Sequence, residues 1–257
     1  MQEVEDRIKA EAAFQNARIE AQMHGHEARD RFYYLLEGAF AAYDRALGDV
    51  AGKDVLVVGC SDKGLVPLAS RGARVLGIDV ADEAIEKVRL ELAAKGLDGR
   101  ARAIVMDAEK LELPERSFDI VLCTGVLHHL DVERATEGFR RVLRTSGRVV
   151  MLEPMAWNPP AALYRWLTPS MRSPFEHPLT PRDIRILRTS FARVSIDGYA
   201  LLSFLSLPFA YLQPLAVLTR PLQRLLAPID AAMFRLVPPL RYLAWSTVIV
   251  CSGPRDD

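Results

Sequence analysis

The stretch Asp54-Val-Leu-Val-Val-Gly-Cys-Ser-Asp-Lys-Gly64 decides how the chain is read. Four apolar residues, Val55 to Val58, give a short strand that runs into a glycine-bearing turn, and Leu65 to Ser70 opens a helix. A strand ending in such a turn lets backbone N–H groups face a ligand at the helix N-terminus. Glycine lets backbone and ligand approach closely there. Alone, Gly59-x-Ser61-x-x-Gly64 is a weak nucleotide signal, because serine replaces the middle glycine of a dinucleotide fingerprint.

Outward from this turn, strand and helix patterns alternate. Strands are predicted over 55–58, 74–78, 101–106, 118–123 and 148–153, with helices over 65–71, 82–96 and 132–143. Further strands are predicted over 194–199 and 245–251. Strands that are mostly continuous apolar runs, with helices between them, imply an α/β fold with a parallel sheet covered on both faces. Ligands in such sheets bind at the carboxyl ends of the strands, near the switch point.

Three of those ends carry matched chemistry. The Gly59 turn closes the first strand, and Asp79 closes the second about 20 residues later, where a carboxylate can accept from two ribose hydroxyls. Asp107 closes the third and is followed by Ala108, a place for a carboxylate on an adenine amino group and a backbone N–H on the ring. Each aspartate alone reads equally well as a turn or helix cap. At successive strand ends, together, they favour a ligand.

The remaining features bound the answer. The 257 residues are half hydrophobic, enough for one large α/β domain with appendages. Lys+Arg and Asp+Glu balance at 33 each, which leaves no basic field for nucleic acid. Cys60, Cys123 and Cys251 are far apart in apolar runs, which suits a reducing compartment and no disulfide or zinc framework. The charged N-terminus lacks a secretory core, so a cytoplasmic location is expected. Residues 3–23 and 28–47 show helical apolar spacing on either side of His24-Gly25-His26, read as an exposed break. Residues 1–48 are therefore predicted to be N-terminal helices capping a main domain over 49–257.

Seven segments in order resemble class I S-adenosylmethionine-dependent methyltransferases of the small-molecule and ubiquinone/menaquinone-type group. They are Val55-Leu-Val-Val-Gly-Cys60, Gly77-Ile-Asp79-Val-Ala, Val105-Met-Asp107-Ala108, Ser117-Phe-Asp119-Ile-Val-Leu, Val126-Leu-His-His-Leu130, Arg141-Val-Leu-Arg144 and Gly147-Arg-Val-Val-Met-Leu-Glu-Pro154. The similarity spans about residues 50–155. It implies a Rossmann-like seven-stranded, mostly parallel sheet with an antiparallel last strand, N-terminal helices and a helical lid inserted before that strand. It implies S-adenosylmethionine as cofactor and S-adenosylhomocysteine as product. Gly59, Cys60, Ser61 and Gly64 would form the loop around the amino-acid part of the cofactor. Asp79 would hold its ribose, Val80 would pack on the adenine, and Asp107 and Ala108 would bind the adenine. Thr124, Gly125 and Val126 would lie beside the methionyl portion and the sulfonium. Two departures stand out: Val57 occupies a position where the family usually has an acid, and Ser61 and Lys63 stand where it usually has glycines.

Methyl transfer from a sulfonium needs mainly in-line alignment at near-attack distance. A proton acceptor helps a hydroxyl or phenol nucleophile. His177 and His128 are the candidate bases, with capping or packing as the other role for His128. No acidic ligand set suggests a metal, because Cys123-Thr124 occupies the place where a ligating carboxylate would be useful. Residues 155–190 read as a substrate-side insertion, with Tyr33, Trp157, Asn158, Arg165 and Arg172 as candidate acceptor contacts. Asn158-Pro159-Pro160 is similar to an amino-group methyltransferase motif, but it follows the wrong strand and Ala161 replaces the aromatic. Residues 200–243 read as an apolar helical insertion. Gly198 to Thr219 carries no charge, and Arg220, Arg224, Arg235 and Arg241 follow among apolar residues. That pattern suits a lid over the site and also a peripheral membrane contact through 200–241. The expected function is methylation of a small, hydrophobic or lipid-like acceptor, at oxygen before carbon. The alternatives are a catalytically silent fold acting as a binding or membrane-surface module, and a nicotinamide-dependent dehydrogenase.

Overall fold

The computed structural model describes residues 2–22, 34–60, 64–168, 173, 175–212 and 214–255, with side chains of the first segment described over 7–17. Helix α1 (Gln2–Gln22) and helix α2 (Glu37–Leu47) precede strand β1 (Asp54–Val58). Then come α3 (Leu65–Ser70), β2 (Arg74–Asp79), α4 (Asp82–Ala94), β3 (Ala101–Val105), β4 (Phe118–Thr124), α5 (Val132–Val142) and β5 (Leu143–Pro154). The rest is α6 (Pro159–Leu167), α7 (Pro181–Ser190), β6 (Phe191–Tyr199), two 3-10 segments (Ser203–Tyr211, Leu215–Leu218), α8 (Thr219–Leu236), a third 3-10 segment (Pro238–Leu243) and β7 (Ser246–Pro254).

The seven strands form one sheet in the order β3-β2-β1-β4-β5-β7-β6. β1 to β5 pair in parallel, and β7 runs antiparallel to both β5 and β6, through pairs such as Met151–Ile249 and Ile196–Ile249. The expected fold class is therefore observed. The switch point falls between β1 and β4, where Val58 lies beside Cys123.

Alternation along β1 explains its apolar run. Leu56 and Val58 face a core with Val121, Cys123 and Met151, while Val55 and Val57 face the opposite core with Leu65, Leu68 and Val88. Every one of the four is buried because both sheet faces are covered. Val57, at the position of the family's usual acid, is thus a core residue packed under α3 and α4.

At the far edge of the sheet a charged network ties four strand starts together. Asp54 takes Arg74 Nε at 2.6 Å and Arg144 Nη2 at 2.9 Å, and Arg144 Nη1 reaches Asp119 at 2.8 Å. The carboxyl ends lie on the opposite edge.

The structure shifts some expected boundaries. β6 begins at Phe191, three residues before the expected 194, and β5 begins at Leu143, where a helix end was expected. Leu143 pairs with Phe118 ahead of the bulge in the β4–β5 ladder, so pairing overrides its helical pattern there. Of the helix expected over 28–47, residues 28–33 lie outside the described residues; a 3-10 turn spans Tyr34–Leu36 and the α-helix begins at Glu37. Within 200–243, Ser203–Tyr211, Leu215–Leu218, Thr219–Leu236 and Pro238–Leu243 are helical. They are anchored by the buried carboxylate of Asp230, which accepts from the N–H groups of Leu201, Leu202 and Ser203.

Candidate functional site

The turn after β1 is built by Gly59. Its φ of +84° is in the left-handed region, and its N–H donates to Ile78 O at 2.9 Å. A Cβ at this position would stand 2.3 Å from Val126 Cγ2. The glycine is required by the close approach of the chain's own loop after β4, and the turn and that loop form one packed unit. Gly64, just before α3, has φ −94°, which any residue adopts.

Asp79 ties the ends of β1 and β2. Its Oδ2 accepts from Cys60 N at 2.7 Å and its Oδ1 from Ala81 N at 2.9 Å. Burial raises its carboxyl pKa, against the opposing bonds from Ala81, Cys60 and Val80; the Glu11 carboxylate adds to the rise. The Cys60, Ala81 and Val80 N–H groups take three of the carboxylate's roughly four acceptor positions. Asp107, at the end of β3, holds its own turn by accepting from Glu109 N at 2.8 Å, and Ala108 is buried in the core beneath it. Thr124 and Gly125 are exposed at the end of β4. Gly125 has φ +65° and donates to Leu152 O at 2.8 Å. The Thr124 hydroxyl donates to Tyr43 OH of α2 at 3.0 Å, and burial pushes the Tyr43 phenol pKa up.

Glu153, near the end of β5, holds the β4 loop from below. It is fully buried. Its Oε1 accepts from Val126 N and Leu127 N, both at 3.0 Å, and its Oε2 lies 2.7 Å from His128 Nδ1. The Cys123 thiol also reaches Oε1 at 3.6 Å, and burial raises its pKa further than Glu153's charge does. A buried carboxylate with this many donors fixes the loop's backbone rather than merely packing near it.

Helix α1 lies across this edge. Arg7 pairs with Glu109 at 2.5 Å and donates to His129 O at 3.3 Å. Glu11 accepts from Gln15 Nε2 at 2.7 Å and from the Ser173 hydroxyl, and its Oε1 lies 3.2 Å from His129 Nδ1. Burial alone would raise the Glu11 carboxyl, but the His129 bond and charge, with Ser173 and Gln15, hold it at about 2. Asn16 reaches Asp82 of α4 at 3.0 Å.

The expected site residues are brought together unevenly. Gly59, Cys60, Asp79, Val80, Asp107, Ala108, Thr124, Gly125 and Val126 gather at the strand ends around the switch point. Ser61, Tyr33 and Arg172 lie outside the described residues. Trp157 is largely exposed before α6, and Arg165 donates to Ala156 O at 2.8 Å.

Asn158 corrects the expectation of an acceptor contact. It is fully buried, caps α6 by accepting from Ala161 N at 2.8 Å, and donates to Ala200 O and Leu243 O. Both of its N–H donors are used within the fold.

His177 is exposed, with Nδ1 3.1 Å from Phe175 O. It lines a recess with Asp131, Glu133, Arg134 and Asp183, and none of the strand-end residues lines it. The His177 backbone N–H donates to His128 O at 2.8 Å.

Three residues went unassigned in the sequence. Glu153 had a signal: a charge at the end of a run buried on both faces must be paired. Tyr43 falls within the apolar helical spacing of 28–47, and Glu11 is joined to the strand ends by tertiary docking that no local pattern encodes.

Residues 56–151 match the family model described as a methyltransferase domain. This stretch is a class I methyltransferase domain. The methyltransferase domain is 33% identical over 123 residues to the ubiquinone biosynthesis O-methyltransferase of Nitrosomonas europaea, covering 47% of this chain and 52% of that protein. It is 39% identical over 82 residues to the enzyme of the same name from Stutzerimonas stutzeri, covering 32% and 35%. The chain spans about half the length, or less, of these curated relatives. Among solved structures, the geranyl diphosphate C-methyltransferase of Streptomyces coelicolor matches 85% of this chain and 78% of its own, with TM-score 0.59 and 14% identity. The [4+2]-cyclase SpnF matches 85% and 82%, with TM-score 0.55 and 17% identity. The fold is shared at that distance.

Proposed function

We propose that the chain transfers the methyl group of S-adenosylmethionine to a small, hydrophobic or lipid-like acceptor in the cytoplasm, at oxygen before carbon and without a metal. The observation that carries this is the Gly59–Asp79–Thr124 edge of the methyltransferase domain, where the turn after β1, the Asp79 carboxylate and the β4 loop meet at the switch point. Relatives named as O-methyltransferases support oxygen as the methylated atom.

The bound cofactor supplies an activated methyl carbon. Asp79 holds its ribose with the acceptor capacity its backbone bonds leave free. Asp107 and the Ala108 N–H take the adenine, Val80 packs on it, and Gly59 and Cys60 face the amino-acid end. Thr124 to Val126 border the reacting carbon, on a backbone that Glu153 holds rigid. Of the candidate bases, His128 is supported by its place on that loop and by Glu153, which orients its ring through Nδ1. His177 is supported less, because its ring faces the other recess. Incubating the protein with S-adenosylmethionine and phenols carrying an apolar tail tests the proposal by mass. One added methyl group supports it, and no transfer to any acceptor alongside tight cofactor binding points to the silent alternative.

A second reading has one observation behind it. His128, His129 and Glu176 each bring a ligand atom within 4.8 Å of the others, a spacing that could hold a divalent cation near the acceptor. Turnover that survives exhaustive chelation favours the metal-free reaction, and loss restored by a divalent metal favours this one.

A further inference from the structure

The insertion between β6 and β7 turns a second, outward apolar face to solvent. On α8 the buried side is Thr219, Asp230 and Phe234. Leu218, Pro221, Leu225, Ile229, Ala232 and Leu236 recur every three or four residues along the opposite side, and all six are exposed. Leu236 is 79% exposed. Arg220, Arg224 and Arg235 are exposed along one flank of this stripe. Helix α6 packs beside the same layer through Ala161 and Tyr164, against Phe204 and Leu207 of the insertion. It leaves Leu163, Trp166 and Leu167 outward, with Trp166 76% exposed.

Charge decides what such a face can meet. Between residues 155 and 168, and again between 198 and 255, the only carboxylate is Asp230, and it is buried under four hydrogen bonds from residues 201–203. The face therefore shows arginine and apolar surface with no exposed acid. Two copies meeting through it would set arginines against arginines with nothing to neutralise them. An anionic surface with an apolar interior satisfies both features. No helix among the described residues is long and apolar enough to cross a membrane, so the face would lie along one.

We propose that α8 and α6 dock this protein on an anionic phospholipid bilayer. The α8 stripe and Trp166 enter the headgroup–acyl boundary, and Arg220, Arg224 and Arg235 meet lipid phosphates. This extends the proposed function from the acceptor to the surface that delivers it. Its failure would leave methyl transfer standing, because vesicle binding and cofactor binding are read separately.

The test is flotation of the full chain with phosphatidylcholine vesicles, with and without phosphatidylglycerol. Partition onto the anionic vesicles should exceed that onto neutral ones about tenfold or more, and salt should reduce it. Arg220→Glu with Arg224→Glu should weaken it about 30-fold. Leu225→Glu with Ile229→Glu should abolish flotation while the circular dichroism spectrum stays that of the parent. Equal partition onto both vesicle types, flotation unchanged by the arginine pair, or no flotation at all would each overturn the proposal. So would a dimer in sedimentation that Leu225→Glu with Ile229→Glu dissociates in place of any vesicle binding.

Discussion

His128 Nδ1 sits 2.7 Å from Glu153 Oε2, and the other oxygen of that buried carboxylate holds the Val126 and Leu127 N–H groups. One side chain thus sets the loop after β4 and the ring on it. Glu153→Ala would strand two backbone donors and a histidine nitrogen in the core. A stability loss of about 3–5 kcal/mol is expected in urea unfolding. Cofactor affinity should fall with it, since the loop it holds borders the cleft.

Gly59 and Val126 should prove coupled. Gly59→Ala meets both a left-handed φ and the Val126 methyl, with an expected cost of roughly 2–4 kcal/mol. Val126→Ala removes the clash but not the φ strain. The double variant should therefore recover at least about 1 kcal/mol relative to the sum of the two single changes. Simple additivity in a double-mutant cycle would mean that the turn and the loop do not pack as one unit.

The docking of α1 should weaken in acid. The Glu11 carboxyl is held at about 2 in the folded chain, against an ordinary value of 4.5. A depressed carboxyl contributes stability that is fully present above about pH 4.5 and is lost as pH falls toward 2. Hydrogen exchange over residues 7–17 should accelerate across that window. Glu11→Gln should flatten the change and cost about 1–2 kcal/mol near neutral pH, after allowing for screening on its solvent side. The same exchange profile with and without acid would show that Glu11 does not hold the helix.

The two histidines separate by turnover. His128→Ala should lower kcat about 10²–10⁴-fold if it takes the acceptor's proton. His177→Ala should leave kcat within about twofold, because its ring faces the recess of Asp131 and Asp183. The reverse ranking would move the base to the other side of the loop.

How much of this was legible beforehand follows from the range of the interactions. The sheet was readable because β1, β2 and β4 are short apolar runs ended by Gly59, Asp79 and Thr124, and strand period and turn chemistry are local. The place of Asp79 at the end of β2 was readable for the same reason. Asn158 was misassigned because its sequence looks like a polar residue in a loop, while its role depends on Ala200 and Leu243, more than 40 residues away. His177 follows the fifth strand in sequence, and the fold sets it in the recess of Asp131 and Asp183 through contacts that no local pattern encodes. The α8 stripe was visible as an apolar run, yet only burial separates its core side from its exposed side.

Isothermal titration of the full chain with S-adenosylhomocysteine, beside Asp79→Ala, tests the cofactor assignment most directly. Saturable one-to-one binding by the parent, weakened tenfold or more in Asp79→Ala while the circular dichroism spectrum is kept, is the expected result. No heat at millimolar ligand, or equal affinity in the two proteins, would contradict it.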